Sequence, residues 1–448
     1  MKKTLVAASL TLVCTVAFAD EAMEQRIDAL QRELDALKRQ VETNTAQDKQ
    51  QVETDATQEQ QQADASADVD SGLDEDAGTD MLFFSAAADP DEGRTAVGGY
   101  GEINYNNYKD DSRRDEFDLQ RFILFLGHRF SDRTRLYSEI EFEHSVTKGG
   151  DSSSGEVAME QAYIEQRLTD DASANLRAGL MLLPIGFLNE YHEPPVFYGV
   201  ERNEVETRII PTTWREIGFA FQGFVANGLE YNTGITTTPD ASLYKDASSG
   251  FKDMRTKGNR VTANEFGYFA GLNYRGVPGL QLGGSVWTGN TAQDGQGKGT
   301  NATALAGANA NLLIWDLHAR YAVAGWDLRA LYSQGSFSDT QAINASAGLA
   351  PGSNKAAPES FFGWYVEAAY RFTFKGGLAL APFARYEDYN TQESVAPGFT
   401  ADPLNDEQVI TAGASFFVHP QVVFKADVQD YETDDTKDRF NVGIGWMF

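Results

Sequence analysis

The chain has 448 residues, 66 acidic against 37 basic side chains, a formal net charge of −29, and a single cysteine, Cys14. That acidity argues against nucleic acid as a partner, because phosphate binding needs clustered Lys and Arg. No segment past the leader offers the ~18 to 20 consecutive apolar residues of a spanning helix, so a membrane crossing, if there is one, is made by strands.

Residues 1–19 read as a cleaved secretory signal: Lys2 and Lys3 form a basic start, Leu5 to Phe18 an apolar stretch, and Ala17-Phe-Ala19 a small-x-small cleavage site. Cys14 leaves with it, so no disulfide or thiol chemistry is expected in the exported chain. Over residues 20–43, Ile27, Leu30, Leu34, Leu37 and Val41 recur at heptad spacing with charged residues between them. This is the seam of a short coiled coil. An amphipathic helix packed on its own domain is the alternative. Either way the segment is expected in the periplasm. Residues 44–95 lose all periodicity and turn to Gln, Asp, Ala and Thr, the composition of an acidic, disordered linker. Met81-Leu-Phe-Phe84 is an isolated apolar patch within it, expected to pack at the barrel rim.

From residue 96 to 448 the texture changes to short alternating segments rich in aromatics and glycine. Sixteen candidate strands run from Val97–Tyr108 to Arg439–Phe448, most of them near the ~9 to 11 residues a tilted spanning strand needs. Their connections sort into two classes. Short turns such as Ser131–Thr134 and Lys375–Gly377 alternate with long loops such as Pro184–Thr213 and Thr238–Asn264. Short turns on one rim and long loops on the other predict an all-β, sixteen-stranded antiparallel transmembrane β-barrel preceded by the short N-terminal coiled-coil helix. In the third strand Leu136, Ile140 and Phe142 take the lipid face, while Tyr137, Glu139, Glu141 and Glu143 take the face expected in water. Sixteen strands enclose an aqueous channel. The last strand puts Phe440, Val442, Ile444, Trp446 and Phe448 on one face, with Arg439, Asn441, Gly443, Gly445 and Met447 on the other. It reads as the strand that closes the barrel.

The loop Pro184–Thr213 differs from the other long loops in being aromatic, aliphatic and charged together. A loop that packs against a wall and carries Glu190, Glu193, Glu201, Arg202, Glu204, Glu206 and Arg208 suits folding into the lumen as a pore constriction; an external cap is the alternative. Arginines on predicted strands supply the facing charge: Arg121, Arg129, Arg135, Arg167, Arg177, Arg215, Arg320, Arg329, Arg371 and Arg385. As a cluster they would set a field across the aperture, although each alone reads as a wall residue in a local ion pair.

Three stretches carry a resemblance: the opening Gly98-Gly-Tyr-Gly-Glu102, the fifth strand running into Pro184-Ile-Gly186, and the restart Trp214-Arg-Glu-Ile-Gly218. With them, residues 96–448 resemble the phosphate-selective porin O and P family, and the terminal Phe448 resembles the assembly signal of outer-membrane barrels. The resemblance implies a homotrimeric outer-membrane porin, with its third external loop folded inward, inserted in lipid and lipopolysaccharide by the barrel assembly machinery acting on the C-terminal strand. Family members named for phosphate rely on arginine lining and a lysine cluster. Here Lys109, Lys148, Lys245, Lys252, Lys257 and Lys298 fall mostly in predicted external loops.

No cofactor is implied, and the five histidines are scattered without metal-ligand spacing, so no metal site and no enzyme are expected. His144 near Glu141 and Ser145 is adjacency in sequence, which does not make a catalytic triad. The expected activity is passive diffusion of small hydrophilic solutes or ions. The competing expectation is a structural tether, in which the helix and linker reach toward the cell wall.

Overall fold

A computed structural model describes residues 94–110, 112–145, 155–225 and 228–448. The signal, the heptad seam Ile27–Val41, the acidic linker up to residue 93 and Lys148 lie outside the described residues. Sixteen antiparallel strands form one closed sheet. In chain order they are β1 (Thr95–Tyr108), β2 (Glu116–Arg129), β3 (Thr134–Glu143), β4 (Val157–Arg167), β5 (Asn175–Leu182) and β6 (Arg215–Val225). Next come β7 (Leu229–Thr236), β8 (Gly267–Val277), β9 (Leu280–Asn290), β10 (Asn311–Val323) and β11 (Trp326–Phe337). The series ends with β12 (Pro358–Tyr370, continued as Phe372–Thr373), β13 (Ala379–Val395), β14 (Asp406–His419), β15 (Val422–Tyr431) and β16 (Arg439–Met447).

Each strand pairs with its sequence neighbours, and β1 pairs with β16 in a register running from Tyr100↔Met447 to Tyr108↔Arg439. Phe448 extends the seam: it donates its N–H to Gly99 O at 2.8 Å and accepts from Gly99 N at 2.9 Å. Closure leaves no edge strand, so every ladder group in the wall has a partner in the sheet, as lipid demands.

The two faces of the wall follow the period-two pattern. Phe416, Phe424, Val428, Phe440 and Val442 are exposed on the outside, whereas Lys425, Asp427, Gln429 and Asn441 are buried on the inside. Glu139 and Glu141 do face inward, but they are buried rather than bathed in water. The segment 183–214 covers them.

The core sits inside the barrel. Leu183, Ile185, Val205, Ile209, Ile210 and Trp214 from that segment join Phe251 and Met254 of the 237–266 loop. They meet Trp287, Phe337, Phe361, Tyr365 and Tyr389 of the wall in one buried cluster. Trp214 is fully buried in it, with its ring 5.0 Å from that of Trp287 and 5.1 Å from that of Phe251. Each apolar side chain buried in this way contributes roughly 1.5–3 kcal/mol, so the loops are held by packing as well as by polar bonds. The strand pattern does not show the short helical turns in the long loops, the longest of them α1 (Thr340–Ser346) in the 338–357 loop.

Candidate functional site

The 183–214 loop crosses the interior, and its backbone is bonded to inward side chains of five strands, β10, β11 and β13–β15. Gly186 N–H donates to Asp316 of β10 at 3.2 Å. Val196 O accepts from Arg329 of β11 at 2.9 Å, and Tyr198 O from Ser415 of β14 at 2.6 Å. Gly199 O accepts from Lys425 of β15 at 2.8 Å, and Val200 N–H donates to Asp427 at 2.6 Å. Glu387 of β13 accepts from the N–H groups of Glu204 and Val205 at 2.6 and 3.2 Å. An irregular segment at this depth needs such partners, since a buried, unpaired backbone group is costly.

Glycine in β16 makes room for this loop. A Cβ on Gly445 would lie 2.2 Å from Pro194 Cβ, and one on Gly443 would lie 3.0 Å from Val200 Cγ1. The small face of the closing strand is therefore the face against which the loop presses.

Glu206 ties the loop to itself and to the wall. One carboxylate oxygen accepts the N–H groups of Phe187 and Leu188 at 2.5 and 2.7 Å; the other accepts Asn203 Nδ2 and the Tyr365 hydroxyl, each at 2.9 Å. Burial pushes this carboxyl up, and the surrounding donors pull it back. Glu204 shows the opposite balance. Burial favours its neutral form, but the Arg208 and Arg439 charges, with hydrogen bonds from Arg208 and Tyr431, outweigh burial and hold it at about 2.

The expected constriction residues separate into three groups. Glu201, Arg202, Glu204 and Arg208 line a cavity of about 320 Å³ together with Glu102, Gln120, Arg121, Lys252 and Arg439. Glu190 lines a different cavity of about 420 Å³, facing Arg135, Arg167 and Arg177. Glu193 and Glu206 are buried at 3% and 1% exposure and line neither of these two cavities. Within the first cavity Glu201 is reached by Asn106 and Asn104 of β1 at 3.0 and 3.4 Å, and Arg202 donates to Thr212 at 2.8 Å and His192 O at 3.1 Å.

The strand arginines are mostly neutralised locally. Arg121 pairs with Glu102 at 2.8 Å and Glu141 at 3.7 Å, and Arg177 with Glu165 at 3.0 Å and Glu190 at 3.9 Å. Arg320 and Arg329 share Asp327, Arg385 pairs with Glu387 and Glu367, and Arg215 with Glu160. Arg129 pairs with Asp132 at a short turn, and Arg371 stacks on the Phe417 ring at 4.2 Å. Only Arg121 of this set lines the first cavity; Arg135, Arg167 and Arg177 line the second.

Sequence reasoning missed the wall residues that hold the loop, notably Asp316, Glu387, Lys425 and Asp427. Their signal is a charged residue on the inward face of an otherwise aromatic or aliphatic strand. It also placed Lys252 in an outer loop, where it does lie, without foreseeing that the loop brings it to the cavity.

Residues 96–442 match the family described as phosphate-selective porin O and P. A protein of Aquifex aeolicus (strain VF5), described as uncharacterized, is 31% identical over 370 residues, covering 79% of this chain and 80% of its own length. OmpF of Salmonella typhi, solved with daunomycin, is similar in fold with a TM-score of 0.52 at 13% identity, over 80% of this chain and 98% of OmpF. The outer membrane channel DcaP of Acinetobacter baumannii gives a TM-score of 0.47 at 11% identity, over 81% and 99% of the two chains. The closed sixteen-stranded wall, the inward loop and the match over nearly all of the barrel lead to one assignment: the chain belongs to the phosphate-selective porin O and P family of outer-membrane channels.

Proposed function

We propose that this porin lets small hydrophilic solutes and ions cross the outer membrane by passive diffusion, through an aperture that the 184–213 loop narrows. The observation that carries this reading is the loop's asymmetry. Pro194 to Val205 is bonded to β11 and β13–β15, while Glu201, Arg202, Glu204 and Arg208 face a cavity shared with Glu102 and Arg121. A loop fixed on one side and charged on the other orders water and ions in the gap between them.

The same cavity gives the ion preference. Arg121, Arg202, Arg208, Lys252 and Arg439 are set against Glu102, Glu201 and Glu204, a local surplus of positive charge in a chain that is acidic overall. Weak preference for small anions follows from this surplus, because low-dielectric walls focus the local field. We further infer a homotrimer, exported through cleavage after Ala19, with the 20–43 helix in the periplasm assisting assembly.

Liposome swelling tests the reading. Proteoliposomes should swell in small sugars and progressively less in larger oligosaccharides. Absence of swelling in every solute would contradict it.

A further inference from the structure

Three buried side chains under the loop have no role in the pathway described above. Glu139 of β3, Glu160 of β4 and His192 of the loop are at 2%, 0% and 2% exposure, and their ligand-capable atoms all lie within 4.8 Å of one another. His192 Nε2 is 3.6 Å from Glu139 Oε1 and 3.4 Å from Glu160 Oε2. Those two oxygens and both ring nitrogens have no hydrogen-bond partner.

We propose that Glu139, Glu160 and His192 form a site for a divalent cation of the zinc or first-row transition class, which clamps the inward loop to the barrel wall. The separations fit that occupant. Two metal–ligand bonds of about 2.0–2.1 Å at a tetrahedral angle set donor atoms roughly 3.4 Å apart. A charged N–H···O bond would draw them in to about 2.7–2.9 Å.

The remaining oxygens are already held, as ligating carboxylates usually are. Glu139 Oε2 accepts Gln161 Nε2 at 2.9 Å, and Glu160 Oε1 accepts Arg215 at 3.2 Å, so one oxygen of each carboxylate is left aimed at His192. A β-bulge supplies the geometry. Glu139 pairs with Gln161 and Ile140 with Met159, so Glu160 is the extra residue of β4. The bulge lets Glu160 and Gln161 both be buried where strict alternation would turn one of them toward lipid. Two carboxylates and one imidazole select a borderline cation over Ca²⁺, which takes six to eight oxygens. The two carboxylates together match the charge of one dication, with Arg215 held on the other oxygen of Glu160.

The test uses the full-length protein in detergent, stripped with a chelator, dialysed in turn against Zn²⁺, Mn²⁺ and Ca²⁺ in moderate salt, and assayed for bound metal and melting temperature. Zn²⁺ or Mn²⁺ should be retained at one equivalent beyond the amount held by His192→Gln, and should raise the melting temperature of the wild type alone. Gln161→Ala, which frees Glu139 without removing a ligand, should weaken binding by roughly 10-fold or more. If the wild type retains no more metal than H192Q, the site is wrong and a proton on His192 bridges the carboxylates. Equal retention of Ca²⁺ would also overturn the proposal, since it would mark general attraction to an acidic chain. Should H192Q fail to fold, the wild type alone still decides, by holding one equivalent of Zn²⁺ or Mn²⁺ or none.

Discussion

Replacing Glu206 with alanine is the sharpest perturbation of the inward loop. The carboxylate satisfies the N–H groups of Phe187 and Leu188, the Asn203 amide and the Tyr365 hydroxyl, and of these Leu188, Asn203 and Tyr365 are buried. Stranding a buried donor costs about 1–3 kcal/mol, so the three buried donors at the low end amount to roughly 3 kcal/mol. At about 1.4 kcal/mol per tenfold change in an equilibrium, that raises the population of a released loop by about two orders of magnitude. Glu206→Gln keeps an oxygen for the two backbone donors and removes a charge that burial disfavours. Its NH2, however, faces the Asn203 amide and strands that one donor, while the Tyr365 hydroxyl can turn to accept, so its cost should be about 1–3 kcal/mol. Single-channel recording reads the difference. E206A should show frequent excursions to a larger conductance and added current noise, with E206Q between it and wild type. If E206A keeps wild-type conductance and noise while folding normally, the loop is not held by this carboxylate and the reasoning is refuted.

Other predictions follow from the same contacts. Gly445→Val places side-chain atoms where Pro194 sits, and overpacking of this kind costs about 1–3 kcal/mol, so the loop should shift and melting should begin earlier in a thermal scan. The carboxyl of Glu204 is held at about 2 against an ordinary value of 4.5, so its contribution is complete above the ordinary value and is lost progressively as pH falls from there through about 2. Channel noise should therefore stay flat above about pH 5 and rise progressively below it; noise that stays flat down to about pH 2, or the same rise in Glu204→Gln, would contradict the assignment. Lys252→Glu reverses one charge at the cavity, so the reversal potential under a KCl gradient should move toward cation preference. An unchanged reversal potential would remove Lys252 from the pathway.

The barrel was legible because its rules are local. Alternation of Phe440, Val442 and Ile444 against Asn441, Gly443 and Gly445 marks the closing strand, and short turns alternating with long loops mark a closed antiparallel barrel. Some strands extend past the length a membrane crossing needs, as in β13, which runs from Ala379 to Val395. The loop was recognisable from its mix of apolar and charged residues. Its fastening was not, because each bond joins the loop to a wall residue far away in sequence, such as Glu387 or Asp427. The Glu139–Glu160–His192 cluster was hidden for a further reason: the β4 bulge breaks the alternation that would otherwise place Glu160. Scattered histidines read as no metal spacing in one dimension, although one of them meets two carboxylates in three.

Conductance of the purified protein in a planar bilayer tests the central claim most directly. Passive flow through an aperture beside the 184–213 loop predicts discrete steps of uniform size in KCl, linear with voltage and requiring no energy source. A barrel that inserts and yet adds no steps would contradict the account.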